Sequence, residues 1–280
     1  MEKSKERLDV LKKIEKYEEE GLFDRDVEND PPSRALRANE CDYLGKKLSS
    51  RIVTAAANRI AKFYFDGCIR RGELVIREVR GIENYLAVAG RGAVITANHF
   101  NPFDNYAVYK AIEPHLGRHR LYKMIREGNY TSFGGLFGFF FRFCNTIPIP
   151  STVSVWREME NAVLSLLERG EKILIYPEQG MWWNYKKPRP LKPGAFFFAA
   201  KKGAPVLPVF ITMEDTERTG NDGFPIQAYT LHFLPAIEPQ PSLSVKENSA
   251  VMAEKNYLAW KETYEDFYGI PLVYRAEAKG

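Results

Sequence analysis

Apolar positions along this chain follow a helical period in some stretches and a two-residue period in others, and the switching predicts alternating helices and strands. Near residues 4–20, Val10, Leu11, Ile14 and Tyr17 share one stripe of an otherwise charged helix. A polar linker follows from Asp24 to Ser33, with Asp30-Pro31-Pro32 as its breaker. Between 42 and 65, Leu44, Leu48, Ile52, Ala56, Ile60 and Tyr64 recur at helical spacing. Lys46, Lys47, Arg51, Arg59 and Lys62 surround that stripe, and Asp42 is its only acid. Such a helix either lies on a lipid surface or packs on the domain with its basic face in water.

Strand-like runs fall near 74–79, 93–97, 145–149, 172–176, 205–211 and 229–233. Helical patterns open at Pro102 and recur near 152–169, 194–202 and 246–268, the last with Tyr257, Trp260, Tyr264 and Phe267 on one face. Strands alternating with helices predict an α/β fold: a mixed, largely parallel sheet flanked by helices, with its site at the strand ends. The expected division is residues 1–65 as accessory N-terminal helices, with a membrane-facing surface as one reading of them, and 66–280 as the main domain.

With 280 residues, 45% of them hydrophobic, the chain is long enough for a sizeable core, and a net charge of +4 is too small for a dedicated nucleic-acid binder. No run reaches the roughly 18 apolar residues a spanning helix needs. Phe133-Gly134-Gly135-Leu136-Phe137-Gly138-Phe139-Phe140-Phe141 is too short to span; it could lie on a bilayer, line an acyl-chain groove or form a buried helix. Cys41, Cys68 and Cys144 show no paired spacing, and the first residues carry no signal-peptide pattern. Both point to a reducing, cytoplasmic compartment. The four histidines are scattered, which predicts no metal site, and neither a nucleophile elbow nor a phosphate-cradling glycine loop is present.

The chemistry concentrates in Thr96-Ala97-Asn98-His99-Phe100-Asn101-Pro102-Phe103-Asp104-Asn105, where an apolar strand runs into a helix. A carboxylate at Asp104 can accept from one imidazole nitrogen of His99, fixing the tautomer and leaving the other nitrogen to take a proton. With no serine or cysteine in the constellation, an activated group would pass directly onto the substrate's own hydroxyl. Asn101 and Asp104 also fit a plain helix-capping pair.

A second block follows in order: Ile173-Leu174-Ile175-Tyr176-Pro177-Glu178-Gln179-Gly180, then Lys192-Pro193-Gly194-Ala195, then Ala204-Pro205-Val206-Leu207-Pro208-Val209. Together with the Asn98-His99-x4-Asp104 block, this arrangement resembles the glycerolipid acyltransferase family, whose best-known members acylate lysophosphatidic acid. The resemblance spans roughly residues 75–212. It implies a glycerol-3-phosphate acyltransferase-like fold, and an acyl thioester of coenzyme A or acyl carrier protein as co-substrate with no bound cofactor. It further implies His99 as general base toward a lipid hydroxyl, Asp104 as its partner, and Asn98, Glu178, Gln179 and Gly180 at the substrate. A peripheral place on the cytoplasmic face of a membrane goes with it. The family's second and third blocks usually carry arginines suited to gripping the acceptor phosphate; those positions fall here at Pro150 and Met181. Lys186, Lys187, Arg189 and Lys192, beside Trp182 and Trp183, offer a replacement for a phosphate, a coenzyme A nucleotide, an acidic carrier protein or anionic headgroups. The tryptophans suit a membrane interface. The alternative is a solvated basic loop with packed tryptophans.

Overall fold

The computed structural model describes residues 2–29 and 31–276, so Asp30 of the expected linker lies outside the described residues. Seven strands form one sheet: β1 (Val75–Arg80), β2 (Ala93–Ala97), β3 (Leu121–Arg126), β4 (Thr146–Ile149), β5 (Lys172–Ile175), β6 (Val206–Thr219) and β7 (Pro225–Phe233). Their order is β1-β7-β6-β2-β5-β3-β4. Strands β6, β2, β5, β3 and β4 run parallel, while β7 turns back antiparallel to β6 and β1 runs parallel to β7. The expected mixed, largely parallel sheet is therefore present.

Central β2 shows why this sequence makes a two-sided sheet. All five of its residues are buried. Ala93, Ile95 and Ala97 join the core on one face, with Leu207, Val209 and Ile211 of β6. Val94 joins the core on the other face with Ile173 and Ile175. Alternation of side chains along a strand, with apolar residues in both directions, demands helical cover on both faces. The first face is covered by α2 (Leu48–Arg71), α4 (Asp104–Ile112) and the short α3 (Ile82–Leu86), which contribute Ala57, Ala61, Phe65, Tyr85, Ala107, Val108 and Ile112. The second is covered by α7 (Val153–Glu168) and α8 (Phe197–Lys202), and α9 (Val245–Tyr268) adds Met252 and Ala253. Gly92, leading into β2, passes so close to the Leu167 carbonyl that a Cβ there would overlap it.

The helix expected at 42–65 is α2, beginning at Leu48 and running unbroken through position 65 to Arg71. Its core-facing residues are Ala57, Ala61, Phe65 and Cys68. Most of the stripe read from the sequence points to water instead: Leu48 is 69% exposed and Ile52 61%, with Phe63 beside them at 75%. The phenylalanine-rich stretch forms α6 (Gly135–Phe143), which packs on α2. Phe140 is buried against Phe65, whereas Leu136 and Phe137 stay exposed next to Tyr64. Among the described residues no helix is long and apolar enough to cross a membrane.

Candidate active site

Where β2 ends, the chain leaves the sheet at Asn98 and re-enters regular structure at Asp104, the first residue of α4, two residues later than the cap expected at Asn101-Pro102. Asn98 is clamped to the neighbouring strand in both directions: its amide donates to the Ile211 carbonyl (3.0 Å) and accepts from the Ile211 N–H (2.8 Å). That two-way bond pins the strand exit to β6.

Asp104 is fully buried, and its carboxylate is filled by donors. Oδ2 lies 2.8 Å from His99 Nδ1 and accepts from the N–H groups of Phe100 (3.1 Å) and Asn101 (3.2 Å). Oδ1 accepts the Tyr176 hydroxyl at 2.6 Å. An ionised carboxylate has only acceptors, so Nδ1 carries the hydrogen and the lone pair stands at Nε2. The Tyr176 ring also stacks on the imidazole, with centroids 4.0 Å apart and planes 17° from parallel. Burial, and then the Asp104 charge, push the Tyr176 phenol well above its ordinary pKa, so it stays a donor. Tyr176 was legible in the sequence as a strand-end residue only; its partnership with Asp104 depends on β5 lying beside β2.

Glu178 is buried, and its carboxylate joins two loops. Oε2 accepts the His99 N–H (3.1 Å) and the Arg189 guanidinium (3.1 Å), and Oε1 accepts the Arg189 N–H (2.7 Å). The loop after Glu178 completes the frame by donating from Trp182 N to the His99 carbonyl (3.1 Å) and from Asn184 N to the Phe100 carbonyl (2.9 Å). Gln179, with φ of 72°, and Asn184, with φ of 52°, turn this loop through the left-handed region. Gln179 is exposed. Gly180 is buried against Asp26 and Arg126, where a Cβ would come within 2.6 Å of the Asp26 carboxylate.

The basic run is occupied by protein. Arg189 is 1% exposed; besides Glu178 it bonds the Gly180 and Phe23 carbonyls and lies over the Trp182 ring. Lys187 pairs with Glu18 at 2.5 Å and Lys192 with Asp24 at 3.4 Å. Lys186 and Lys187 line a cleft of about 420 Å³ with Glu15 and Glu18; Lys187 is paired with Glu18 there, and Lys186 lies 4.0 Å from Asp215. The interfacial reading of Trp182 and Trp183 is corrected. Both are buried in a small core with Val10, Ile14, Val27 and Phe224, because the N-terminal segment folds over them. α1 (Lys5–Glu19) and the residues after it thereby brace the loop that braces His99. Arg126, at the end of the unanticipated β3, is ion-paired with Asp26 there. Among the described residues no group of three or more His, Cys, Asp or Glu side chains could hold a metal ion.

The arrangement can take a proton from a hydroxyl at a site reached by His99, whose side chain is 21% exposed. The family model described as Acyltransferase matches residues 76–212, which run from β1 into β6 and include His99, Asp104, Tyr176 and Glu178. No curated protein matches the sequence. Among solved structures the fold is similar to the 1-acyl-sn-glycerophosphate (LPA) acyltransferase PlsC from Thermotoga maritima, with a TM-score of 0.52 at 17% identity over 82% of this chain and 87% of that one. Over residues 76–212, this chain matches the acyltransferase family.

Proposed function

We propose that the protein transfers a fatty acyl group from a thioester of coenzyme A or acyl carrier protein to the hydroxyl of a lysophospholipid or related lipid, with His99 as general base. The observation that carries this reading is the 2.8 Å bond from His99 Nδ1 to a carboxylate that four donors hold in one orientation, which leaves Nε2 as the proton acceptor. In the step, Nε2 takes the acceptor's hydroxyl proton while its oxygen attacks the thioester carbonyl. The tetrahedral adduct collapses to the ester, the C–S bond breaks, and the departing thiolate takes the proton from the imidazolium. Asp104 balances the transient imidazolium charge. Glu178 and Asn98 act as positioning residues, Glu178 by accepting the His99 N–H and Asn98 by tying the residue before His99 to Ile211 of β6. The exposure of Gln179 supports a substrate contact for it.

The acceptor is a lipid presented at a surface. The exposed apolar residues Leu48, Ile52, Ile60 and Phe63 of α2, with Leu136 and Phe137 of α6, form a face suited to lying on lipid. With Pro150 and Met181 where the family usually has arginines, the acceptor headgroup is recognised by other means than a paired arginine grip.

Purified protein given radiolabelled acyl thioester and a panel of lysolipids should form one diacyl product, and His99→Ala should abolish it while keeping the folded circular dichroism spectrum. Release of free fatty acid without any acceptor would redirect the assignment to thioester hydrolysis. Vesicle binding without turnover on any acceptor would make the protein a lipid-binding module on this scaffold.

A further inference from the structure

At the opposite end of the sheet from His99 lies a second cleft, of about 450 Å³, lined by Leu44, Gly45, Lys46, Arg51, Arg120, Tyr122, Arg169 and Glu171. The strand register fixes its place. β3 and β5 begin side by side, Leu121 opposite Lys172, and both run away from the cleft toward Arg126 and Tyr176 at the catalytic end. Lys46 and Arg51 come from the start of α2, Arg120 from the approach to β3, and Arg169 from the end of α7. Four cations thus meet across the fold from three separate stretches of sequence.

These cations are unspent. Lys46, Arg51, Arg120 and Arg169 form no ion pair among the described residues, and Arg120 is engaged only by the Tyr122 hydroxyl, whereas elsewhere on the surface cations such as Lys62, Arg77, Arg91 and Lys201 are paired with carboxylates. The lone acid, Glu171, accepts the Arg120 backbone N–H at 2.5 Å. Tyr122 forms the floor at 8% exposure; burial and then the Glu171 charge push its phenol pKa up, and Arg120, which hydrogen-bonds it, and Arg169 pull against that. Guanidinium groups converging on a recess beside a phenol make a receptor for a phosphate. Arg51 sits one turn or less from Leu48 and Ile52, the most exposed apolar residues at that end of α2. A phosphate bound here would stand at the boundary between an apolar face and a cationic recess, where a lipid carries its own phosphate.

We propose that this cleft holds the phosphate of an anionic phospholipid headgroup from the surface on which α2 lies, at a site separate from the catalytic one. The proposal rests on α2 as the lipid-facing helix and on nothing in the acyl-transfer chemistry. Bound here, α2 would be anchored by headgroup contact near Arg51 as well as by its exposed apolar residues Leu48, Ile52, Ile60 and Phe63.

The test is co-sedimentation of the full-length protein with vesicles of phosphatidylcholine alone or mixed with phosphatidylglycerol. The wild type should partition more strongly onto the mixed vesicles. Replacing Arg51, Arg120 and Arg169 together by Gln should erase that preference, a loss on the order of a hundred-fold for three cations at an anionic surface, and leave binding to neutral vesicles unchanged. A matched control, Lys5, Lys246 and Lys255 to Gln, removes equal charge from other faces and should stay within about three-fold of wild type. Equal losses in the two triple variants would reduce the effect to net charge and overturn the site. So would a wild type indifferent to phosphatidylglycerol, or a cleft variant that partitions normally but shows a raised KM for a coenzyme A thioester, since a soluble phosphate would then be the occupant. Ile52→Ser with Phe63→Ser should lose both kinds of vesicle; retention of neutral binding there would remove α2 from the picture and the headgroup site with it. Vesicle partitioning needs no turnover, so those arms can also be run on an inactive His99→Ala protein; only the KM comparison needs the active enzyme.

Discussion

Replacing Tyr176 by Phe deletes one atom from the catalytic frame. The ring keeps its 4.0 Å stack on His99, and only the 2.6 Å bond from the hydroxyl to Asp104 Oδ1 disappears. Hydrogen bonds to charged acceptors are worth about 1.5–3 kcal/mol, which corresponds to about ten- to a hundred-fold in rate if all of it is lost at the transition state. Asp104 retains three donors on Oδ2, so the lower end applies: kcat/KM should fall about ten-fold at neutral pH. The pH profile carries the more specific signal. A carboxylate that no longer shares its charge with a phenol favours the imidazolium more, so the acid limb of kcat/KM should move upward, by about one unit or less. The groups facing Asp104 are His99, the Phe100 and Asn101 amides, Tyr176, and Tyr229 of β7, whose phenol burial and then the Asp104 charge push up. None of the others changes in this variant. Initial rates of thiol release, followed with a chromogenic disulfide across the pH range, measure both effects. A Tyr176→Phe enzyme with wild-type rate and an unmoved acid limb would refute the idea that this hydroxyl orients Asp104.

Other expectations follow from the same frame. Asp104→Asn keeps an oxygen for the three donors at Oδ2 and can turn its amide toward the Tyr176 oxygen; the tautomer survives and only charge balance is lost, so activity should drop about a hundred-fold with little change in melting temperature. Glu178→Ala strands the buried Arg189 guanidinium, and urea unfolding should report a loss of about 3–5 kcal/mol, whereas Lys192→Gln, at an exposed pair with Asp24, should leave the midpoint in place. His232, bonded to Thr212 Oγ1 at 3.0 Å, is pushed down to about 4 by burial and then by Arg80, from an ordinary value of 6.5. Its folded pKa is depressed, so the unfolded chain binds the extra proton between those values. Stability is full above about pH 6.5 and falls toward about pH 4, by on the order of 3 kcal/mol, a slope that His232→Gln should flatten in melting curves recorded across that window.

Much of the fold was legible because its strands are short apolar runs with helices between them, and the histidine–aspartate pair because its two members are five positions apart. What escaped the sequence was long-range. β3 reads Leu121-Tyr122-Lys123-Met124-Ile125-Arg126, and the two cations break the pattern that marks a buried strand. Tyr176 looks like any strand-end aromatic until β5 is set beside β2. The basic run resembles an exposed anion site because its partners, Glu18 and Asp24, lie far earlier in the chain, and no local periodicity announces such pairings. In α2 the spacing of apolar residues was read correctly, yet the alanine-rich face, less conspicuous by hydropathy, is the one that seats on the sheet, since small side chains let a helix approach closely.

The buried contact between residues 10–27 and the loop after Glu178 gives this enzyme a particular dependency. Phe23 and Arg25 cap Arg189 and Trp182 through their carbonyls, and Asp26 reaches Arg126 beside Gly180. A nascent chain therefore makes this segment long before its partners: Arg126 follows Asp26 by 100 residues, Trp182 follows Arg25 by 157 and Arg189 follows Phe23 by 166. Excising the leading segment should disable catalysis as thoroughly as an active-site substitution, though none of the deleted side chains touches the imidazole.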